Sequence, residues 1–174
     1  NEQFEEASSV GRFATAIVST YFSPTRELSV CTAGHPPPLI YRAAKKFWEP
    51  LQANNANLRN MAIGVMGGQD FASTKLKLKT GDILMGYSDA LCESYDAGDS
   101  LLTSAGLAMI ANSLTCHEPG EFVQKLLERI RDMNAKNLIS DDATVILAQA
   151  NEQGVSLKDN LLAPFRLLGG LFGR

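Results

Sequence analysis

The chain has 174 residues, of which 45% are hydrophobic and 20% are charged, and these values are typical of one soluble globular domain. Its net charge of −3 argues against a nucleic-acid-binding surface, and no apolar run reaches the roughly 18 residues of a membrane-spanning helix. The polar, acidic start predicts no signal peptide, and the lack of an initial Met indicates a piece of a longer protein. Cys31, Cys92 and Cys116 match no disulfide framework or zinc motif, so we expect reduced thiols and a cytoplasmic protein.

The first half of the chain is predicted to form antiparallel strands. Its segments are rich in β-branched and aromatic side chains, or alternate between apolar and polar residues, as strands do. The turns between them are too short for crossover helices, which indicates hairpins. After a helix end at residues 1–11, the predicted strands cover residues 13–22, 28–32 and 39–42, with turns at 23–26 and 34–38.

The second half is predicted to add two strands, two helices and a final strand. A long connection at residues 49–68, with little periodicity, comes first, and connections of this length are often functional. Pro119 is tolerated at a helix start because its missing N–H is not needed there. The order of elements predicts an α+β fold with helices packed on sheets. The predicted strands are residues 71–79, 83–87 and 144–149, the last of them buried, and the predicted helices are residues 101–114 and 121–133.

Residues 151–174 are predicted to form an amphipathic tail that follows a domain at residues 1–150. Leucine and phenylalanine are dense in this tail, and Lys158, Arg166 and Arg174 add positive charge. Pro164 would kink a helix or begin a new one. We expect a helix that docks on its own domain or on a partner subunit, as in a homodimer. The alternative is contact with a membrane surface.

Three aspartates stand out by their position at strand ends. Asp89 follows the predicted strand at 83–87, and Asp141 and Asp142 precede the one at 144–149. A carboxylate in such a place is held at the edge of a sheet, and oxygen ligands suit Mg²⁺ or Mn²⁺. An aspartate at a strand end is also a common turn or cap residue. Position alone therefore leaves both interpretations open.

Four motifs follow one another along the chain. They are RFATA (12–16) with AGHPPPL (33–39), NMAIGV (60–65), TGDILMGYSDALCES (80–94) and SDDATV (140–145). In this order they resemble the motifs "RFVTA…NAGHNPPL", "GLPLGV", "PGDxLLLYTDGVTEA" and "DDxTV" of the SpoIIE/RsbU-type protein phosphatases, a group of the metal-dependent PPM class. Four ordered matches are far more specific than any single motif.

The resemblance implies an antiparallel β-sandwich flanked by helices, with two Mn²⁺ or Mg²⁺ ions between the sheets. It implies that Asp89 and Asp141 are metal ligands, with Asp142 as the fallback ligand or a neighbour of one. It also implies hydrolysis of phosphoserine or phosphothreonine on a regulatory protein, such as an anti-anti-sigma factor in a partner-switching pathway. His35 belongs to the family pattern, but a histidine between Gly and three prolines is expected to shape a turn. Glu93 matches a frequent family acid and is expected to be structural.

Two departures from the family pattern bear on activity. The opening metal motif "GDVxGHG" is absent, so the domain is expected to be N-terminally incomplete. A hard dication with so few fixed ligands binds weakly, and we expect little turnover from this chain. Ala90 stands where the family has the glycine of "TDG", which strains the loop if that position needs a positive φ. The alternative hypothesis is a degenerate phosphatase-like module that docks a regulator without catalysis.

Overall fold

Seven strands and two helices form the described part of the chain, which in this computed structural model comprises residues 4, 12–52, 60–66, 68, 70–115 and 118–153. The strands lie in two antiparallel sheets, with the order β1-β2-β5 in one and β4-β3-β6-β7 in the other. The elements are β1 (Ala16–Phe22), β2 (Glu27–Ala33), β3 (Leu39–Arg42), β4 (Phe47–Pro50), β5 (Thr74–Lys77), β6 (Ile83–Tyr87), α1 (Thr103–Ser113), α2 (Pro119–Met133) and β7 (Val145–Gln149).

The two sheets pack face to face through a small apolar core. Leu28 and Val30 of β2 lie on the inner face because alternate residues of a strand point to the same side, and both are buried. They pack with Ile40 of β3 and Leu84 of β6 from the other sheet. The connection at residues 34–38 therefore carries the chain from one sheet to the other.

Both helices cover the outer face of the four-stranded sheet. Phe122, Leu126 and Ile130 of α2 are buried in the larger core, together with Met85 of β6, because residues three or four apart share one face of a helix. Pro119 occupies the first turn of α2, as predicted. The predicted α+β antiparallel sandwich with flanking helices is confirmed. In the described part of the chain, neither helix combines the length and apolar character needed to cross a membrane.

The outer edge of β4 is covered by a side chain of α1. Asn112 accepts a hydrogen bond from the Trp48 N–H at 2.7 Å and donates one to the Trp48 carbonyl at 2.8 Å. A carboxamide has a donor and an acceptor in the spacing of a peptide group, so it can take the place of a neighbouring strand. Pro50, at the end of β4, has no N–H to offer. The edge of this sheet is thus closed on the β4 side.

The structure differs from the prediction in several elements. The predicted strands in the first half of the chain are present with altered bounds, whereas β4 was not predicted and shortens the long connection expected from residue 49. The final strand was predicted to be buried, and this is wrong: β7 is the edge strand of its sheet, and Ile146 is 65% exposed. Cys116, most of the predicted helix end at 1–11 and the tail from residue 154 lie outside the described residues.

Candidate metal centre

Asp89 opens a short 3-10 helix directly after β6. Ser88 links the two elements, and the helix runs from Asp89 to Leu91. Leu91 is fully buried, which fixes the helix against the core. The Asp89 carbonyl accepts hydrogen bonds from the N–H groups of Cys92 at 2.8 Å and Glu93 at 2.9 Å. The half-buried Asp89 carboxylate, which accepts a bond from the Ala90 N–H at 3.1 Å, is therefore held on a rigid turn.

Ala90 does not strain this turn. It lies inside the 3-10 helix with its φ outside the positive region, and its side chain is buried. A backbone of this shape needs no glycine, because only positive φ favours glycine over alanine. The concern raised by the departure from "TDG" does not apply to the conformation that this chain adopts.

Ser88 joins the loop of Asp89 to the loop of Asp141 and Asp142. Its N–H donates to the Thr144 carbonyl at 2.9 Å, and its hydroxyl donates to the Asp142 carbonyl at 2.9 Å. The same hydroxyl accepts from the Thr144 N–H at 3.0 Å. These bonds extend the pairing of β6 with β7, whose last pair is Tyr87 with Val145. All three predicted aspartates are thereby brought to the end of the sheet at which β6 ends and β7 begins.

Asp141 and Asp142 are exposed. The Asp141 carboxylate accepts a hydrogen bond from the Asp142 N–H at 2.8 Å, which fixes the first acid against the backbone of the second. Asp141 also lines a cavity of about 190 Å³ that it shares with Glu93 and Lys136. Four carboxylates thus lie on two joined loops, with Lys136 as the basic side chain in the cavity wall.

The donor chemistry of these residues fits a hard divalent cation, but their number is small. Carboxylate oxygens are the ligands that Mg²⁺ and Mn²⁺ prefer. Within the described ranges, however, no group of three or more His, Cys, Asp or Glu side chains is placed to hold one ion. Asp89, Asp141 and Asp142 therefore fit as part of a ligand set that needs further donors.

His35 lies in the loop between β2 and β3 and packs against the core. Its Nδ1 lies 2.8 Å from the Pro36 carbonyl, which can only accept, so this nitrogen carries the proton. The imidazole meets the Tyr87 ring edge to face, with centroids 6.0 Å apart. Tyr87 donates to the Pro37 carbonyl at 2.6 Å, and burial raises the pKa of its phenol. These contacts agree with the expected turn-shaping role.

Two residues that sequence reasoning did not single out shape the cavity. Asn137, buried in the wall, holds the backbone of Tyr95 and also donates to the Ile130 carbonyl at 2.7 Å. Lys136 lies over the Tyr95 ring at 5.6 Å and 3.4 Å from Asp99. Their partners lie far away in the sequence, so no local pattern could have indicated them.

Comparison with known proteins shows which family profile and which solved structures are similar to this chain. The family profile described as Stage II sporulation protein E (SpoIIE) matches residues 1–151. The phosphatase domain of SpoIIE from Bacillus subtilis, presoaked with Mn, is similar with a TM-score of 0.64 at 17% identity, covering 89% of this chain and 65% of that one. A search of curated proteins gives no significant match.

Two further solved structures share the fold. The PP2C phosphatase domain of SpoIIE from Bacillus subtilis, with a fragment of its regulatory domain, has a TM-score of 0.67 at 20% identity, covering 86% of this chain and 42% of that one. The RsbU and RsbW domains of a Mycobacterium tuberculosis protein give 0.65 at 21% identity, covering 98% and 48%. This chain thus spans less than two thirds of each of the three solved chains described.

Proposed function

The chain belongs to the Stage II sporulation protein E (SpoIIE) family, and from that membership we propose that its complete domain is a metal-dependent protein serine/threonine phosphatase. The main support is the Ser88 linkage, which brings Asp89, Asp141 and Asp142 to one edge of the sheet. Carboxylates gathered on joined loops supply the oxygen ligands that suit Mg²⁺ or Mn²⁺, the ions proposed for this hydrolase. The same fold in the phosphatase domain of a family member adds to this support.

Mn²⁺ or Mg²⁺ is the proposed cofactor, with two ions in the complete domain. Asp89 and Asp141 would hold them, with Asp142 as the fallback ligand, and the Mn-presoaked relative supports a divalent ion. Such ions activate water and neutralise phosphate oxygens. The residues of this chain hold the loops at a fixed separation through Ser88 and keep Asp89 on its buried turn. We infer that donors other than the described carboxylates complete the set, and that the chain as given turns over little substrate.

The proposed substrate is a phosphorylated regulatory protein of the anti-anti-sigma-factor type. The support is the similar solved structure that contains RsbU and RsbW domains, together with the SpoIIE/RsbU motif order of this chain. We place this activity in the cytoplasm, in keeping with Cys31 and Cys92, which are free thiols. A phosphoserine or phosphothreonine on a surface segment would reach the exposed Asp141–Asp142 loop without rearrangement of the core.

A second candidate is a docking module without catalysis. The observation in its favour is that the described residues bring together no group of three metal-binding side chains. Such a module would bind its regulator through the same face of the sandwich. It differs from the phosphatase in its metal binding. In a docking module the aspartates would contribute nothing to metal binding, either in this chain or in a longer one.

Calorimetric titration with Mn²⁺ tests these proposals. The chain and a version extended upstream by about 60 residues, a rough estimate of the missing part of a domain, are compared. We expect tight binding only in the extended chain, and loss of it on Asp89→Asn. Asp132→Asn, at an exposed position on α2, is the matched control and should leave binding unchanged.

Turnover of a phosphoserine peptide by the extended chain is measured alongside. Metal-stimulated release of phosphate, abolished by Asp89→Asn and retained in Asp132→Asn, supports the phosphatase. Absence of both Mn²⁺ binding and turnover in the extended chain contradicts it and leaves the docking module.

A further inference from the structure

A groove opens on the helix-covered side of the four-stranded sheet, at the end of the sandwich remote from Asp89. It lies where β6 begins, whereas Asp89 follows the end of β6. Its volume is about 470 Å³, which is within the range of protein ligand sites. Its floor is formed by β3, β4, β6 and β7, and its walls by the end of α1 and the start of α2. Its apolar lining includes Tyr41, Trp48, Ile83, Leu114, Phe122 and Leu147.

Three aromatic rings are part of the groove lining. The Tyr41 and Trp48 rings lie 5.2 Å apart, and Trp48 stacks on Phe122 with centroids 5.1 Å apart. Trp48 and Phe122 are buried in the large core, and the apolar side chains of the lining that stay half-buried are Tyr41, Ile83, Leu114 and Leu147. An apolar segment seated on these four side chains would extend that core, and burial of apolar surface there is favourable.

The chain leaves the sheet at the rim of this groove. Gly81 and Gln149 both line it. The Ala150 carbonyl accepts a hydrogen bond from the Gly81 N–H at 2.8 Å, and the Ala150 N–H donates to the Asp82 carbonyl at 2.9 Å. Arg26 then holds the Asn151 carbonyl at 3.0 Å. The chain is therefore fixed up to Asn151, two residues beyond the groove-lining Gln149 and on the side of the three-stranded sheet, and residues 154–174 follow from there.

The sequence of residues 154–174 complements the groove in polarity and the rest of the chain in net charge. Many of its apolar residues recur at intervals of three or four, which is typical of one apolar helix face. The segment carries three basic and one acidic residue, whereas the rest of the chain carries 13 basic and 18 acidic residues. Opposite net charges favour association. The larger apolar residues are Val155, Leu157, Leu161, Leu162, Phe165, Leu167, Leu168, Leu171 and Phe172.

We propose that residues 154–174 dock in this groove of their own chain, with their apolar side chains against the half-buried Tyr41, Ile83, Leu114 and Leu147. The 21 residues are long enough, because even at the helical rise of 1.5 Å per residue they span about 30 Å. Glu118 and Lys46 are the charged residues in the lining, and Glu118 is placed to meet a basic side chain of the segment. This docking does not depend on the proposed phosphatase activity, which belongs to the other end of the sheet.

Photo-crosslinking on the full chain tests the docking. Phe165 is replaced by benzoylphenylalanine, an aromatic residue of similar shape, and Asn160 is replaced in the same way as the matched polar control. After irradiation, peptide mass spectrometry locates the adducts. We expect the Phe165 probe to link within one chain to residues 41–48 or 111–122, and the Asn160 probe to give several-fold fewer such links.

Three results overturn the proposal. Links from position 165 to other parts of the domain show that the segment docks elsewhere. Links between two chains, identified by mixing isotope-labelled and unlabelled protein, assign the groove to a second copy. Adducts to lipid that replace the groove links when anionic phospholipid vesicles are added show that a membrane surface is the preferred partner.

Hydrogen exchange provides a second measurement that needs no probe. Leu161→Asp with Phe165→Asp introduces charge on the apolar side of the segment, and Ser156→Asp with Asn160→Asp introduces the same charge at polar positions. We expect amides of residues 41–48 and 111–115 to exchange several-fold faster in the first variant only, because local protection reflects local contacts. Equal exchange in both variants contradicts docking in the groove.

Discussion

The side chain of Asn137 pairs with the backbone of Tyr95 as a neighbouring strand would. It accepts a hydrogen bond from the Tyr95 N–H at 2.7 Å and donates one to the Tyr95 carbonyl at 2.8 Å. Asn60 forms the same pair of bonds with Ala72, at 2.9 and 2.8 Å. Side-chain amides thus bond the backbone of two loops, at Tyr95 and Ala72, that lie outside the named strands.

Replacement of Asn137 by alanine is expected to lower the free energy of unfolding by about 2–3 kcal/mol. The change leaves the Tyr95 N–H and the carbonyls of Tyr95 and Ile130 without the bonds that they have in the native structure, and each unmet group in a buried site is costly. Equilibrium unfolding in urea measures the loss. Asn134→Ala, whose side chain bonds to the exposed Asp99, should cost less than about 1 kcal/mol. Equal losses would contradict the special role of Asn137.

Asp82→Asn is expected to destabilise the fold by about 3 kcal/mol. The buried carboxylate accepts from the Ala43 N–H at 2.9 Å and the Lys79 N–H at 3.0 Å, and it pairs with Arg42 at 3.1 Å. An amide turns one acceptor into a donor that faces other donors, and loss of a buried ion pair is costly. The midpoint of urea unfolding reports the change. Asp70→Asn, at an exposed position, should stay within about 0.5 kcal/mol.

Gly34→Ala is expected to cost about 3 kcal/mol or more. Gly34 has a φ of +62°, and an added Cβ would lie 2.6 Å from the Ala62 Cβ and 2.7 Å from its Cα. Positive φ and overpacking each cost alanine about 1–2 kcal/mol. Ala62→Gly in the same chain should restore little stability, because the Ala62 backbone remains in the way. Full restoration would show that the side chain alone is responsible.

Gly120→Ala is expected to stabilise the fold, in contrast to Gly34→Ala. An added Cβ at Gly120 meets nothing within 4 Å, and the residue lies in the first turn of α2. Alanine is the better helix former and restricts the unfolded chain, so we expect a gain of about 0.5 kcal/mol. Thermal unfolding of both glycine variants beside the parent chain measures the two signs in one experiment.

The Cys31 thiol is expected to react slowly at pH 8. Burial raises its pKa, and a hydrogen bond from Asn60 at 3.4 Å only partly opposes the shift. Since the thiolate is the nucleophile, folded Cys31 should react with DTNB more slowly than Cys31 in the urea-unfolded chain. Cys31→Ser identifies the kinetic phase. A rate equal to that of the unfolded chain would contradict the predicted protection.

Local patterns predicted most strands and both helices but not how the strands are shared between the sheets. The alternation of β2 and the apolar face of α2 are properties of neighbouring residues, so the sequence reveals them. Strand β4 was missed because only Trp48 of its four residues is buried and Pro50 ends it. The exposure of β7 was mispredicted because an apolar composition does not reveal an edge position. Membership of a sheet depends on pairing between distant residues.

The candidate site could be predicted only in part for the same reason. Motifs indicated Asp89, Asp141 and Asp142, and these residues lie on two loops that the structure joins. The bonds that join them come from Ser88, whose partner Asp142 is 54 positions away. Asn137 likewise acts on a residue 42 positions away. Ser88 lies within the third motif, but the motif does not reveal its partner, and no local pattern indicates the buried Asn137.

The hydrogen bonds between Asn112 and Trp48 determine at which edge the four-stranded sheet can accept a further strand. With the β4 edge closed, β7 is the edge of the described sheet beside which an added strand could pair. There the Thr144 carbonyl and the Ala150 N–H point toward the β6 side, so by the alternation of antiparallel ladders the backbone groups of Val145, Leu147 and Gln149 point outward. A strand that joins at this edge runs past the Asp141–Asp142 loop. A strand added beside β7 would therefore also bring its own side chains next to these carboxylates.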